Sequence, residues 1–292
     1  MKIDDFRKQI DALIDLAITE DITDPLGIIP SGDHSALACF PKGKPAKAKL
    51  LCKADGILAG IDVAELVAHK IDPRLRFEIF IYDGAHISNG DVAFHLHGEE
   101  RSILQAERLI LNFMQRMSGI ATNTARYVKA VEGTNTKVLD TRKTTPGLRA
   151  FEKWAVKIGG GHNHRAGLYD MIMLKDNHID FCGGIRQAIL ATKKYREEKG
   201  LDLKVEVETR NLDDIKIALD TGFIDRIMFD NFSVENAYKG VELVANRYET
   251  EVSGGITPDT IRSYAQAGPD FISVGALTHS SLSLDLSLKS IQ

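Results

Sequence analysis

Residues 201–230 read LDLKVEVETR NLDDIKIALD TGFIDRIMFD. A short β-rich run, Leu203–Glu208, leads into a helical stretch that Gly222 closes, and a second β-rich run, Arg226–Phe229, follows. The same grammar extends outward on both sides. Lys137–Asp140 and Met171–Leu174 precede it, and Tyr248–Val252 and Phe271–Val274 follow. The last four runs recur about every 22 residues, enough for a strand, a helix and two short loops. Gly200 ends one intervening helix; Thr257-Pro258 supplies an N-cap and N1 proline for another, which Gly268 closes. Repeated β-α units mean parallel strands with right-handed crossovers, in an open doubly wound sheet or a barrel.

The strand ends decide between the two. Thr141-Arg142-Lys143 follows the first strand, Lys175 the second, Glu208 ends the third and Asp230 the fourth. Ser253-Gly254-Gly255 follows the fifth and Gly275 the sixth. In a barrel every strand opens on one mouth, so these groups converge; an open sheet uses only the ends near its switch point. The reading is a barrel.

Upstream of about residue 116 the pattern changes to an α+β layer arrangement. Ile3, Phe6, Ile10, Leu13, Ile14 and Ala17 have the spacing of an amphipathic helix, and a turn-rich stretch runs from Glu20 to His34. Ala46–Lys53, Arg76–Tyr82 and Val92–Leu96 read as strands, with helices over Ile61–Lys70 and Glu100–Met117.

Composition limits the function. The chain has 292 residues, 43% of them hydrophobic, a net charge of −4 and three cysteines. Such a chain can bury a large core, which excludes disorder and a disulfide-stapled mini-protein. Neither an export signal nor a membrane-spanning run is evident, and Cys39, Cys52 and Cys182 form no C-x-x-C pair, so a reduced cytoplasmic setting is expected. The acidic balance argues against a general nucleic-acid binder.

Against that balance, Arg142, Lys143, His164, Arg165 and Lys175 place five potential cations at the mouth, interleaved with glycine-rich loops. A solvated rim would explain any one of them. Together they suggest a field focused on a polyanion, with the arginines offering forks matched to carboxylates and phosphates. Ser253-Gly254-Gly255-Ile256-Thr257 and Ser273-Val274-Gly275-Ala276 resemble a phosphate cradle, although either alone could be a tight turn. Glu206 and Glu208 share one side of their strand, Val205 and Val207 the other. Inward carboxylates need a partner; with Asp230 they suit Mg²⁺, and a structural salt bridge is the simpler alternative. His162-Asn163-His164 and His95-Leu96-His97 could each begin a zinc site, yet neither has a third ligand at convincing spacing.

Taken in order, these motifs closely resemble the quinolinate phosphoribosyltransferase family. They are Glu107-Arg108 with Leu111-Asn112, Asp140 through Gly147, Gly159 through Arg165 and Leu174 through His178, then Val205 through Glu208, Asp230-Asn231, Ser253 through Thr257 and Gly275 through His279. The resemblance implies an α/β chain: an N-terminal α/β sandwich domain over 1–115, joined by residues 280–292, plus an incomplete, TIM-like parallel α/β barrel over 116–279. It implies that quinolinate and phosphoribosyl pyrophosphate give nicotinate mononucleotide, pyrophosphate and CO₂ with Mg²⁺ in NAD biosynthesis, in a homodimer or higher homo-oligomer.

On matching positions, Arg142, His164, Arg165 and Lys175 would surround the substrate carboxylates, with Arg108 contributed across the dimer. Lys143 would meet the phosphoribosyl donor; Glu208 and Asp230 would serve its ribose and the metal, directly or through water. Ser253, Gly254, Gly255, Gly275 and Ala276 would hold the 5′-phosphate. The catalytic set is then Lys143, Lys175, Glu208 and Asp230.

Phe151 through Trp154 and Phe229 stand where smaller apolar residues or Tyr are usual, and Asp21–His34 is longer and richer in proline than expected. Two rivals remain. One is a molybdenum-transport-associated paralogue of the same fold. The other is an aldolase-like barrel in which Lys175 or Lys143 forms a Schiff base.

Overall fold

The computed structural model describes residues 6–291. Helix α1 (Arg7–Ile22) buries Ile10 and Ile14 as its spacing predicts; Ile3, assigned to the same face, lies outside the described residues. Where turns alone were expected before His34, Asp24 accepts the amides of Leu26, Ile28 and Ile29. A short helix not foreseen, α2 (His34–Cys39), follows, with Asp33 accepting from the Ala36 amide at its N-cap.

Next come β1 (Pro45–Cys52), β2 (Gly56–Ile57), α3 (Ile61–Ile71), β3 (Arg76–Ile79), β4 (His86–Ile87), β5 (Val92–Glu99) and α4 (Glu100–Ala130). β3 is shorter than its apolar run because the Phe80 and Ile81 amides both donate to the Ala93 carbonyl, two residues opposing one. Helix α4 outruns its expected end at Met117 because nothing breaks it before Gly133. Its interior Gly119 is demanded by packing: a β-carbon there would collide with the Leu282 carbonyl.

The remaining elements are β6 (Lys137–Leu139), α5 (Arg149–Ile158), β7 (Ile172–Leu174), α6 (Asp176–Cys182), α7 (Ile185–Lys199), β8 (Val205–Thr209), α8 (Leu212–Thr221), β9 (Arg226–Asp230), α9 (Val234–Val244), β10 (Glu249–Ser253), α10 (Ile261–Gln266), β11 (Phe271–Ser273), α11 (Ala276–His279) and β12 (Leu286–Ile291). They form two compact units. One comprises residues up to Ala125, Thr144–Gly160 and the chain from Ser280; the other comprises Arg126–Lys143 and Gly161–His279.

The first unit carries an antiparallel sheet in the order β12-β1-β5-β3. It is one-sided. Ala48, Leu50, Phe94 and Leu96 are buried, while the alternating Lys47, Lys49, His95 and His97 are only partly covered. β12 comes from the far end of the chain and pairs with β1 from Lys47 opposite Ile291 to Cys52 opposite Leu286.

The second unit carries a parallel sheet in the order β6-β11-β10-β9-β8-β7. Read as a ring, the strands follow sequence order with one link missing, between β6 and β7. A doubly wound sheet would instead place its first strand inside, so this is a barrel with a single open seam. The His162 segment lies along the β6 side of that seam. Its amide donates to the Val138 carbonyl and its carbonyl accepts from the Asp140 amide. Val205, Val207, Ile227, Phe229, Val252 and Ile272 are fully buried.

Candidate active site

The mouth of the second unit holds a cavity of about 280 Å³. Its lining includes Arg142, Lys143, His164, Arg165, Lys175, Glu208, Asp230, Ser253, Gly254 and Gly255. All but His164 and Arg165 sit at or just beyond a strand end, and those two enter from the segment after His162, so the convergence inferred from the sequence is present in three dimensions. Gly275 and Ala276 are not in the lining, although a β-carbon at 275 would come within 3.0 Å of the Lys143 side chain. Arg108 is exposed on α4 and does not line this cavity either.

The cationic wall is built around two arginines. Arg142 Nε is buried with no hydrogen-bond partner, a donor waiting for an anion. Arg165 gives one Nη1 bond to the Met171 carbonyl at 3.1 Å. Its pKa is lowered, first by burial and then by repulsion from Arg142. Two mutually repelling guanidiniums in a pocket are relieved by an anion between them. Lys143 and Lys175 are exposed.

The same cavity is also lined by carboxylates. Burial raises the Glu208 carboxyl above its ordinary range and Asp230 pushes it further, while Lys175 and the Asp176 amide pull it back. Asp230 accepts from Asn231 Nδ2 at 2.8 Å. Two hard, repelling carboxylates beside a phosphate-sized cradle are a donor set that fits a divalent cation.

The cradle differs in one respect from the sequence reading. Thr257-Pro258 does not cap α10 directly. Thr257–Thr260 form a tight turn, the Thr257 carbonyl accepting from the Thr260 and Ile261 amides, and the regular helix starts at Ile261. The glycines themselves are conformationally required. Gly254 has φ +101°, and a β-carbon there would strike the Asn231 side chain; Gly255 has φ +61° in open space.

The two histidine pairs resolve differently. His95 and His97 meet Glu78, absent from the sequence argument because β3 supplies it across the ladder. His95 Nδ1 lies 3.1 Å and His97 Nε2 3.4 Å from the same Oε2. Lys47 Nζ approaches that oxygen at 3.6 Å, so the carboxylate already has a cation. His95 lies on β5, an interior strand that runs between β1 and β3.

His164 lies at the cavity floor. Its Nε2 is 3.0 Å from Glu206 and 3.2 Å from Glu251. Burial works against charge on this ring, but the two carboxylates outweigh it and raise its pKa to about 9. The Arg165 amide, 2.6 Å from Nδ1, pulls the other way by favouring a bare lone pair there. Nε2 thus faces the two carboxylates while Nδ1 faces the Arg165 amide. Glu206 does point inward with Glu208, as strand alternation predicts, and Arg226 Nη1 stands 3.9 Å from it. Glu251 and Arg226 were missed. Their signal was an acidic residue inside Thr250-Glu251-Val252 and a basic one opening an apolar strand.

Comparison with known proteins comes to the same point. Residues 120–289 match the family model described as quinolinate phosphoribosyl transferase, C-terminal domain, and residues 33–118 match its N-terminal domain. A nicotinate-nucleotide pyrophosphorylase (carboxylating) of Oryza sativa subsp. japonica, named as chloroplastic, is 44% identical over 95% of this chain and 76% of its own length. The probable Bacillus subtilis enzyme of the same name is 40% identical over 89% of this chain and 88% of its own. Among solved structures, the nicotinate-nucleotide pyrophosphorylase of Francisella tularensis has a TM-score of 0.89 at 37% identity, covering 100% of this chain and 98% of that one. NadC from Streptococcus pyogenes has a TM-score of 0.88 at 40% identity, with 97% and 98% covered.

Proposed function

The chain belongs to the quinolinate phosphoribosyltransferase family, and from that premise we propose how its barrel mouth carries the family's reaction. The enzyme transfers the phosphoribosyl group of phosphoribosyl pyrophosphate to quinolinate with loss of CO₂, in NAD biosynthesis. The observation that carries the assignment of roles is that a single cavity is lined by Arg142, Arg165 and Lys175 together with the carboxylates of Glu208 and Asp230.

Arg142, Arg165 and Lys175, with His164 at the floor, form the dicarboxylate side. Lys143 meets the phosphoribosyl donor, and the Gly254-Gly255 and Gly275-Ala276 loops receive its 5′-phosphate. The pyridine nitrogen attacks the anomeric carbon, a C–N bond forming as the C–O bond to pyrophosphate breaks. Glu208 stabilises the positive charge that develops on the ribose. The 2-carboxylate then leaves as CO₂, its electron pair remaining on the ring carbon beside the cationic nitrogen until a proton replaces it. The protein positions and desolvates that carboxylate.

Glu208 and Asp230 would hold Mg²⁺, directly or through water; when bound, it neutralises charge on the departing pyrophosphate. Arg108 would serve a neighbouring copy in a homodimer or higher homo-oligomer. Its exposure supports that reading, as do the exposed Leu26, Ile28 and Ile29, apolar side chains of the kind a partner covers. No described helix is long and apolar enough to cross a membrane. The free thiols of Cys39 and Cys182 support a cytoplasmic setting. The Schiff-base alternative is not favoured, because Lys143 and Lys175 are exposed rather than desolvated.

The test is direct. Purified protein is mixed with quinolinate and phosphoribosyl pyrophosphate, with and without Mg²⁺, and nicotinate mononucleotide and CO₂ are followed. Equal amounts of both products with Mg²⁺, formed far more slowly by Arg142→Ala, are expected. Binding of both substrates without turnover would defeat the assignment.

A further inference from the structure

At and beneath the mouth lies a group of charges to which the reaction assigns no role. β8, β9 and β10 are neighbours, and besides Glu208 they bury the charged side chains of Glu206, Arg226 and Glu251. Glu206 and Glu251 are completely buried. Arg226 Nη1 lies 2.8 Å from Glu251, and its Nη2 lies 3.0 Å from Glu249. A dry interior normally gains by exchanging such ions for packed hydrocarbon, so stability alone is a poor reason for them. They must be asked what they hold.

They hold His164, which is anchored on three sides. Its main-chain amide donates to Asp140 Oδ1 at 2.9 Å, and Asn163 Nδ2 donates to the other oxygen of the same carboxylate at 2.6 Å. Its Nε2 faces Glu206 and Glu251, and its Nδ1 accepts the amide of Arg165. The ring thus links the strand carboxylates to the backbone of the residue whose guanidinium lines the cavity. Rotating the ring would move the Arg165 amide, and with it the fork fixed at its far end by the Met171 carbonyl.

We propose that Glu206 and Glu251 are positioning residues that act through the His164 ring to aim Arg165, and so set affinity for the dicarboxylate rather than for the phosphoribosyl donor. Arg226 is their counter-ion. The inference rests on the mouth being a quinolinate site. Glu206 lies outside the cavity lining and Glu251 joins it as a fully buried side chain; both act on a fork whose alignment decides whether two N–H bonds reach one carboxylate or only one does.

The experiment is a split between the two substrates. In Glu251→Gln and Glu206→Gln, KM for quinolinate should rise about tenfold or more, while KM for phosphoribosyl pyrophosphate stays within about twofold. The Kd of quinolinate alone, by calorimetry, should weaken in parallel. Should either amide variant fail to fold, His164→Gln keeps a donor near the Nε2 position and should show the same split. The double variant of His164→Gln with a folded glutamate variant should be no worse than the poorer single, because both cut one link. Equal rises in both KM values, unchanged kinetics with only a lower melting temperature, or additive losses in the double variant would overturn the proposal. Wild-type protein that does not turn over quinolinate would instead defeat the functional reading beneath it.

Discussion

The Phe229 ring occupies the space a side chain at Gly240 would need. A β-carbon built at 240 would sit 3.0 Å from Phe229 Cε2 and 3.2 Å from Ile215 Cδ1. Phe229 also stacks on Phe232, with ring centroids 5.3 Å apart, so it cannot retreat freely. The larger aromatic on β9 and the bare backbone on α9 are therefore one feature. Alanine favours a helix by about 1 kcal/mol over glycine, while overpacking a core costs roughly 1–3 kcal/mol. Gly240→Ala is expected to destabilise the wild type in urea unfolding and to become neutral or stabilising in a Phe229→Leu background.

The two cradle glycines should respond unequally. At Gly254 a methyl group meets both a left-handed backbone and the Asn231 side chain; at Gly255 it meets only the backbone. A left-handed alanine costs about 1–2 kcal/mol by itself. Gly255→Ala should remain folded and retain measurable activity. Gly254→Ala should lose more stability and raise KM for phosphoribosyl pyrophosphate more than for quinolinate. Thermal melts and steady-state kinetics on the pair read this out.

Removing the Arg142 guanidinium should cost the charged hydrogen bonds it makes with bound anion, roughly 1.5–3 kcal/mol. In kcat/KM for quinolinate this is a loss of about 10- to 150-fold for Arg142→Ala. Arg142→Lys should recover little, since a point charge does not reproduce a fork.

Asp72 governs the acid limb of stability in the first unit. Its carboxylate receives Arg74 Nε at 2.9 Å, Arg74 Nη2 at 3.0 Å and the Ser102 hydroxyl at 2.7 Å. Hydrogen bonding to Arg74, partly offset by burial, holds it well below the usual carboxylate range. A depressed folded pKa gives stability that is present above the unfolded value, near 3.9, and lost as pH falls through the folded one. The urea midpoint of wild type should drop as pH falls from about 5 to 3, and Asp72→Asn should flatten that part of the curve.

The three thiols should separate cleanly. Cys52 is fully buried, and burial, with a further push from Asp91, raises its pKa to about 11. Cys39 and Cys182 are exposed. A chromogenic disulfide reagent at neutral pH should titrate two thiols in the native protein and a third only after unfolding.

The strands of the second unit were legible because each is short, apolar and followed by a chemically loaded residue. Their bounds were less so: Tyr248–Val252 appears as Glu249–Ser253, with Ser253 at the strand's end. Arg142, Lys143, Lys175, Glu208 and Asp230 could be collected at one mouth from strand order, and Arg165 from the glycine-rich run that precedes it. What could not be collected was any contact across strands far apart in sequence. Glu78 opposite His95, Arg226 beside Glu251, and Phe229 over Gly240 all depend on ladder and helix packing that periodicity does not encode. Helix α4 fails for a related reason. Its polar stretch after Met117 looks like an ending until the chain around Leu282 is seen lying against Gly119.

The pairing of β12 with β1 also orders events during synthesis. β1 leaves the ribosome early, yet its partner on one side emerges only after the whole second unit has been made. Until then, the β1 edge from Lys47 to Cys52 has backbone donors and acceptors without a strand to satisfy them, a template for wrong pairing between nascent chains. The six strands of the barrel, by contrast, all precede β12 in the chain. A product truncated between His279 and Leu286 should therefore carry the complete set of barrel strands and an adhesive sheet edge, which makes the pairing of β12 the step that closes the first unit.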